Sequence, residues 1–259
     1  MVSLPDIERA LHRLYIAAPG ASLRREERKK TLELAGMMKE IDRIVSAARE
    51  KRPWRMIDAA AGKAYVGLLA AELVLARKGR AGRLVLIERD GARAAACRRA
   101  AACVHAPRVD ISVRQSDVAD ASAWPSEPDL VVALHACGPA SDEVIRQSVA
   151  CRARRLLLVP CCTSKQVAAA QIADRWMEDL GLPRHAEIRR RFVQAVVDGE
   201  RTLVLEAAGY ETVVLPFVPP TVTPHNLLWR ARRVGEPRRM AEAAKKLARL
   251  RGAGEASHV

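Results

Sequence analysis

The stretch WRMIDAAAGKAYVG, residues 54–67, decides the fold class of this chain. It opens with a short apolar run typical of a buried strand and ends in a segment that favours a helix. Between them lies a turn of small residues that begins at Asp58 and includes Gly62. Such a strand–turn–helix unit opens a parallel α/β sheet, and small residues let its backbone amides approach a ligand closely.

Apolar runs recur beyond this stretch at a spacing that indicates alternating strands and helices. Predicted strands cover residues 54–57, 84–87, 109–113, 130–134, 156–159, 211–218 and 227–234. Predicted helices cover residues 65–77, 92–104, 141–151, 165–180 and 186–208. Helical crossovers between strands imply a parallel, doubly wound sheet. Five parallel strands followed by a closing pair are the order of a class I methyltransferase sheet, an α/β, Rossmann-like fold of seven strands.

The chain divides into three predicted parts. Residues 1–52 read as an N-terminal helical extension, 53–235 as the α/β domain, and 236–259 as a basic helical tail. Because the tail follows the last predicted strand, no sheet edge depends on it. We therefore expect the tail to contact a polyanion rather than to contribute to the fold.

Acidic residues follow three consecutive strands of the predicted sheet. Asp58 ends the first strand, Glu88 ends the second and Asp117 follows the third. An acid in the position of Glu88 accepts hydrogen bonds from ribose hydroxyls in nucleoside-binding sheets, and Asp117 would lie beside the adenine amino group. One such acid alone is more often a solvated loop residue. Three in order, each at the carboxyl end of a strand, favour one nucleoside pocket.

Sulfur and imidazole groups mark the ends of the fourth and fifth strands. His135 and Cys137 end the fourth, and Cys161 and Cys162 end the fifth. These residues are open to several interpretations: packed core residues, a zinc site unsupported by any local ligand spacing, or a catalytic cluster. In the catalytic interpretation a cysteine thiolate is a nucleophile or neutral His135 is a general base.

Three motifs in this order resemble one family of S-adenosylmethionine-dependent methyltransferases. They are D-A-A-A-G-K-A-Y-V at 58–66, L-H-A-C-G at 134–138 followed by Asp142, and P-C-C at 160–162. The family includes methyltransferase-like protein 25, the glutathione S-transferase C-terminal-domain-containing protein and tRNA ribose 2′-O-methyltransferases with a related domain. The resemblance covers roughly residues 30–235. The chain departs from it in two respects. Ala60 and Ala64 stand where the family has glycine, and the Lys-Asp-Lys-Glu tetrad common in other ribose 2′-O-methyltransferases has no counterpart that can be placed in the chain.

The resemblance implies a cofactor, S-adenosylmethionine, and two sets of site residues. No metal site is predicted. The cofactor-binding set is Asp58, Ala60, Gly62, Lys63, Glu88, Asp117, Val118 and Leu134. The set that lines the methyl-transfer site is His135, Cys137, Cys161 and Cys162.

Composition and charge narrow the function further. With 49% apolar and 29% charged residues, the 259-residue chain can bury a core and is not a disordered protein. Lys and Arg exceed Asp and Glu by 44 to 30, a net charge of +14 that is compatible with RNA as partner. An arginine-rich composition without functional meaning is the alternative. Neither a membrane span nor a signal peptide is predicted, so we expect a cytoplasmic protein.

Three functions remain open from the sequence. The first is methylation of RNA (tRNA or rRNA), either through deprotonation by His135 or a nearby acid, or through covalent addition of Cys161 or Cys162 to a pyrimidine. The second is methylation of a protein, peptide or small metabolite. The third is a non-catalytic nucleoside-binding protein on the same fold, since fold does not fix function. The sequence does not predict an oligomeric state.

Overall fold

The computed structural model describes residues 2–16, 25–49, 52–160, 164–183 and 185–252. Its strands are β1 (Trp54–Ala59), β2 (Gly82–Glu88), β3 (Val109–Gln115), β4 (Leu130–Ala136), β5 (Arg155–Pro160), β6 (Tyr210–Pro216) and β7 (Leu227–Arg233). Its α-helices are α1 (Leu4–Leu11), α2 (Arg25–Ala47), α3 (Tyr65–Leu69), α4 (Gly91–Ala102), α5 (Pro139–Ala150), α6 (Ala168–Asp179), α7 (Ala186–Ala207) and α8 (Pro237–Gly252).

All seven strands form one sheet in the order β3-β2-β1-β4-β5-β7-β6. The first five strands are parallel, and β7 runs antiparallel to both of its neighbours, β5 and β6. The predicted class I methyltransferase sheet is confirmed. The strand order reverses at β1, which has β2 on one side and β4 on the other, and open α/β sheets bind ligands at the carboxyl ends beside such a reversal.

Alternation along each strand builds a core on both faces of the sheet. Met56 and Leu84 point into a cluster shared with α1 to α4, while their neighbours Ile57 and Val85 point into a cluster shared with α5 and α7. Both faces of the central strands are therefore covered by helices, as expected for a parallel sheet.

The two N-terminal helices pack as part of the same body as the sheet. Ile7 of α1 and Met37 and Ile41 of α2 have no exposed surface, and they share one core cluster with Met56 of β1. This packing places α2 directly over the sheet, which matters for the site below.

Helix α8 also packs on the fold, which corrects the prediction that the basic tail adds nothing to it. Ala243 is 2% exposed, and Leu250 packs against the cluster between α6 and α7. The side chain of Arg251 donates to Glu200 on α7 at 2.7 Å. Charged residues predominate in this segment, so its composition does not indicate the few apolar residues, Ala243 and Leu250 among them, through which α8 packs on the fold.

Two helical segments change from α-helical to π-helical geometry along their length. The helix predicted at 65–77 is α3 followed by a π-helical segment, Ala70–Ala76, and α1 is followed by a π-helical segment, His12–Ile16. Apolar periodicity does not reveal this change, because both segments continue to bury apolar side chains: Leu14 after α1, and Leu73 and Val74 after α3.

Candidate functional site

The turn after β1, residues 60–64, is called the first turn below. It has the left-handed backbone conformation typical of glycine although it contains alanines. Ala60 and Ala64 adopt positive φ angles of 53° and 59°, and Gly62 lies between them at 60°. This left-handed conformation costs an L-residue other than glycine about 1–2 kcal/mol. The two alanines therefore adopt a backbone conformation that favours glycine. Within the turn, the Ala61 N–H donates to the Ile87 carbonyl at 2.9 Å and the Ala64 N–H donates to the Ala61 carbonyl at 2.7 Å.

Asp58 is buried under this turn. Its Oδ2 accepts a hydrogen bond from the Gly67 N–H of α3 at 2.8 Å, and a side chain at Gly67 would collide with both Asp58 and Leu86. Burial raises the pKa of Asp58 to about 7, with the negative charge of Glu88 adding to the rise and the Gly67 N–H opposing it. Asp58 thus joins β1 to α3, and it titrates near neutral pH.

Glu88 connects the end of β2 to the same turn. Its Oε2 accepts from the Gly62 N–H at 2.7 Å and its Oε1 from the Asp90 N–H at 2.9 Å. Glu88 is 4% exposed. A carboxylate offers about four lone-pair sites, so two backbone donors leave capacity for the hydroxyls of a ligand.

Asp117 and Val118 follow β3 at the neighbouring strand end. The Asp117 side chain is half exposed and accepts from the Ala119 N–H at 2.9 Å, which fixes the turn. Val118 is buried, and its carbonyl accepts from the indole N–H of Trp124 at 3.0 Å. The two residues therefore offer a fixed acid and an apolar wall side by side.

These strand ends surround one cleft of about 780 Å³. Ten of the twelve predicted site residues line it: Asp58, Ala60, Gly62, Lys63, Glu88, Asp117, Val118, Leu134, His135 and Cys137. The other two, Cys161 and Cys162, lie outside the described residues. The cleft falls within the usual range for small-molecule sites, roughly 300–1,000 Å³.

His135 is held in an unusual way at the end of β4. Its φ is +64°, and the register between β4 and β5 shifts at this position. Its Nε2 lies 3.0 Å from each carboxylate oxygen of Glu33 on α2. The sequence does not mark Glu33 as a site residue, because the apolar spacing of α2 predicts only that this helix packs against the rest of the fold.

A second contact joins the N-terminal region to the first turn. The hydroxyl of Tyr15 donates to the carbonyl of Lys63 at 2.6 Å, and the Tyr15 ring lies edge-on to Tyr65 at 4.5 Å between centroids. Nothing in the local sequence around Tyr15 marks this role. Both N-terminal contacts depend on how α1 and α2 dock on the sheet.

Cys137 follows the end of β4, and α7 holds the turn that comes after it. Cys137 is exposed, and its sulfur is engaged in a disulfide bond. Because a disulfide sulfur is not a thiolate, a nucleophilic role for Cys137 requires its reduced form. The following turn is held by Arg201 of α7, which is 1% exposed and donates to Asp142 at 2.7 Å and to the Gly138 carbonyl at 3.2 Å. Asp142 belongs to the quoted motif, and the sequence did not reveal its partner.

A second cleft, of about 980 Å³, adjoins the first, and Ser164 lines both. Apolar residues from β5, β7, α6 and α7 line much of it, among them Pro160, Ala170, Val193, Leu227 and Trp229. Basic residues also line it: Lys165, Arg189, Arg190, Arg191 and His225. Arg189 pairs with Asp174 and Arg190 with Glu187, whereas Arg191 is exposed.

His225 connects the two clefts electrostatically. Burial lowers the pKa of its imidazole, and the positive charges of His135 and Arg190 lower it further. His135 of the first cleft is therefore close enough to influence His225 of the second.

Within the described part of the chain, His, Cys, Asp and Glu side chains form no group of three that could hold a metal ion. None of the described helices combines the length and apolar character needed to span a membrane.

A family model described as a methyltransferase domain matches residues 29–169, from α2 to the start of α6. The match includes Glu33, the first turn, Glu88 and His135. No curated protein sequence matches the chain.

Three solved structures illustrate the structural likeness. Magnesium protoporphyrin IX methyltransferase from Synechocystis, with bound S-adenosylmethionine, is 13% identical, covering 87% of this chain and 90% of that one, at a TM-score of 0.50. A methyltransferase of Podospora anserina, bound to S-adenosylhomocysteine, is 12% identical over 90% and 89% of the two chains, at 0.52. The CMeT domain of citrinin polyketide synthase is 13% identical over 88% and 60%, at 0.51. Likeness at these identities shows a common fold.

Proposed function

The chain belongs to the methyltransferase-domain family, whose model covers more than half of its residues, and from this premise we propose that it transfers the methyl group of S-adenosylmethionine to RNA. The proposal has two parts, the cofactor and the acceptor. Different observations support each part.

The first cleft fits S-adenosylmethionine by its chemistry. Glu88 would hold ribose hydroxyls with its remaining lone pairs, and Asp117 with Val118 would offer an acid and an apolar surface to adenine. Residues 60–63 of the left-handed turn line the same cleft. When bound, the cofactor supplies a methyl group already activated on a sulfonium. The protein then has to align an acceptor and remove its proton.

The observation that carries the RNA proposal is the basic lining of the second cleft. Lys165, Arg190 and Arg191 stand around an opening that shares Ser164 with the first cleft. Arginine is suited to phosphate, because its planar guanidinium donates two parallel hydrogen bonds. Together with the net charge of +14, this supports a polyanionic acceptor whose target group enters beside His135.

A small apolar acceptor is the second candidate. The apolar residues of the second cleft favour it, and so does a volume sufficient for a whole small molecule. In that case Arg191 would be a solvated charge, and Arg190 would serve only its ion pair with Glu187. The alternative in which Cys161 or Cys162 adds to a pyrimidine belongs to the RNA proposal as a second route.

Calorimetry with S-adenosylmethionine tests the cofactor part. We expect the wild-type protein to bind it, and Glu88→Gln to bind it roughly 10- to 100-fold more weakly, since a lost hydrogen bond to a charged group costs about 1.5–3 kcal/mol. Glu200→Gln is the matched control, because Glu200 is a buried acid on α7 that pairs with Arg251 away from the cleft. Equal affinities in all three folded proteins would contradict the assignment of Glu88.

Transfer of a labelled methyl group tests the acceptor. The wild-type protein is incubated with labelled S-adenosylmethionine and, separately, with total tRNA, total rRNA, total protein and a small-molecule extract. Label in an RNA fraction, lost with His135→Asn, supports the proposal. Label only in the small-molecule extract would establish the second candidate instead.

A further inference from the structure

Glu33 and His135 form a pair that joins the N-terminal region to the candidate methyl-transfer site. Both oxygens of Glu33 lie 3.0 Å from Nε2 of His135. The carboxylate is 9% exposed and the imidazole 26% exposed, so the contact is largely shielded from water. Shielding strengthens a charge-assisted hydrogen bond relative to one on the surface.

The backbone of His135 is adapted to this contact. A positive φ is uncommon for a residue other than glycine, and irregular positions in strands re-aim side chains beside active sites. At His135 the positive φ coincides with the shift in register between β4 and β5. The strained residue is therefore the one that reaches across to α2 and also lines the cofactor cleft.

Glu33 is held as a carboxylate by its own surroundings. Burial raises the pKa of Glu33, but hydrogen bonds and charges from His135 and Lys30 outweigh burial and hold this pKa below its usual range. The Lys30 ammonium lies 3.1 Å from Oε2 and itself lines the cofactor cleft. An ionised Glu33 accepts the Nε2 proton of His135, and in the neutral ring the lone pair is then on Nδ1.

We propose that Glu33 is a positioning residue for His135, and that it fixes the imidazole as the base that takes the proton of the methylated group. This inference rests on the proposed function. As the acceptor lone pair forms the new bond to the methyl carbon, the carbon–sulfur bond breaks and its electron pair stays on sulfur. The acceptor proton moves to Nδ1 of His135. The resulting imidazolium is paired with the Glu33 carboxylate until it loses the proton to water.

A purely structural role for Glu33 is the competing explanation. It predicts that removing Glu33 loosens α2 and lowers stability, with no specific effect on the imidazole. Glu40 provides the comparison, because it lies two turns further along α2, is 11% exposed and pairs with Arg43 and Arg230. The Glu40→Gln variant therefore disturbs α2 to a similar degree without touching His135.

The test uses the full-length protein with ¹⁵N-labelled histidine, and the His135→Asn variant assigns the His135 signals. In the wild type at mildly alkaline pH, we expect His135 to show a protonated Nε2 and an unprotonated Nδ1. In Glu33→Gln the two nitrogens should shift towards the mixture seen in free histidine, and in Glu40→Gln they should stay unchanged. Unchanged His135 signals in a folded Glu33→Gln protein would overturn the inference.

Kinetics supply the second readout. Glu33→Gln should slow single-turnover methyl transfer to RNA by roughly 10²-fold, with affinity for S-adenosylmethionine within twofold of wild type. Because residues that act as a unit are not additive, Glu33→Gln combined with His135→Asn should be no slower than His135→Asn alone. Additive losses would show that the two residues act separately. If the wild type methylates no RNA, the proposed function fails, and the nitrogen spectra still decide whether Glu33 positions His135.

Discussion

At the scale of single residues, the first turn shows how alanine can replace glycine in a ligand-binding loop. Ala60 and Ala64 both take the left-handed conformation, but their methyl groups differ in surroundings. Ala60 is partly exposed, whereas Ala64 is fully buried. The cost of the conformation is similar at the two positions, and the compensation from packing exists only at Ala64.

This difference leads to a paired prediction. Ala60→Gly should stabilise the protein by roughly 0.5–1 kcal/mol, since relief of the left-handed strain exceeds the entropy that glycine adds to the unfolded chain. Ala64→Gly should be close to neutral, because it also removes a buried methyl group worth about 0.8 kcal/mol. Urea unfolding of the two variants measures both values. A loss of stability on Ala60→Gly would show that its methyl group packs usefully.

Asp58 predicts a pH dependence of stability. Its pKa is near 3.8 when unfolded and about 7 when folded, so between these values the folded state binds the extra proton. Stability therefore falls as pH rises through this window and levels off above about 7, with a slope of up to about 1.4 kcal/mol per pH unit. Urea unfolding at pH 5, 6, 7 and 8 should show this decline in the wild type and a weaker one in Asp58→Asn. Parallel profiles for the two proteins would contradict the raised pKa.

At the scale of elements, helix α2 docks so closely that one glycine in it has no room for a side chain. A Cβ at Gly36 would lie 2.7 Å from the Phe217 carbonyl oxygen and 2.8 Å from the Phe217 ring. Gly199, in α7, would meet nothing within 4 Å. Gly36 therefore has no space for a methyl group, whereas Gly199 has ample space for one.

Replacing each of them by alanine should change stability in opposite directions. Gly199→Ala should stabilise the protein by up to about 1 kcal/mol through helix propensity. Gly36→Ala gains the same propensity but forces α2 away from Phe217, and overpacking of this kind costs about 1–3 kcal/mol. Thermal unfolding compares the two. Equal gains would show that α2 shifts without cost.

The elements also show what sequence reasoning can reach. The strands and their order were predictable because alternation, turn residues and crossover rules depend on local pattern and general topology. Asp58, Glu88 and Asp117 were predictable as neighbours because parallel strands end at one edge. Glu33 and Arg201 were not, since each contacts its partner through the docking of a helix from a distant part of the chain. The packing of α8 was missed because its charges outnumber the few apolar residues that are buried.

At the scale of the whole molecule, the net charge of +14 is spread over a surface with one basic cleft beside the cofactor cleft. Charge alone attracts any polyanion, whereas a local cluster determines where it lies. The two effects can be separated by changing the same amount of charge in two places.

For RNA binding, we expect the logarithm of the association constant to fall linearly with the logarithm of salt concentration. Arg191→Glu, in the second cleft, should weaken binding and reduce the slope by about 0.7 for each lost phosphate contact. Arg99→Glu is the control, because this exposed residue lies on α4 near the other edge of the sheet and changes the net charge equally. Filter binding across 50–300 mM salt gives both slopes. Identical slopes for the two variants would show that the second cleft has no special part in binding.

The 102 residues that separate Glu33 from His135 also affect the order in which the site is completed during folding. Contacts between distant parts of a chain close late, after local helices and hairpins have formed. The pair can form only when α2 has docked on a sheet that already contains β4. Transient undocking of α2, a local opening of the native state, would separate the imidazole from its carboxylate and remove Lys30 from the cleft wall, while the strand ends that carry Asp58, Glu88 and Asp117 stay in place. Such openings would stop proton removal without releasing the nucleoside, so the equilibrium between docked and undocked α2 would set an upper limit on the catalytically competent fraction of molecules.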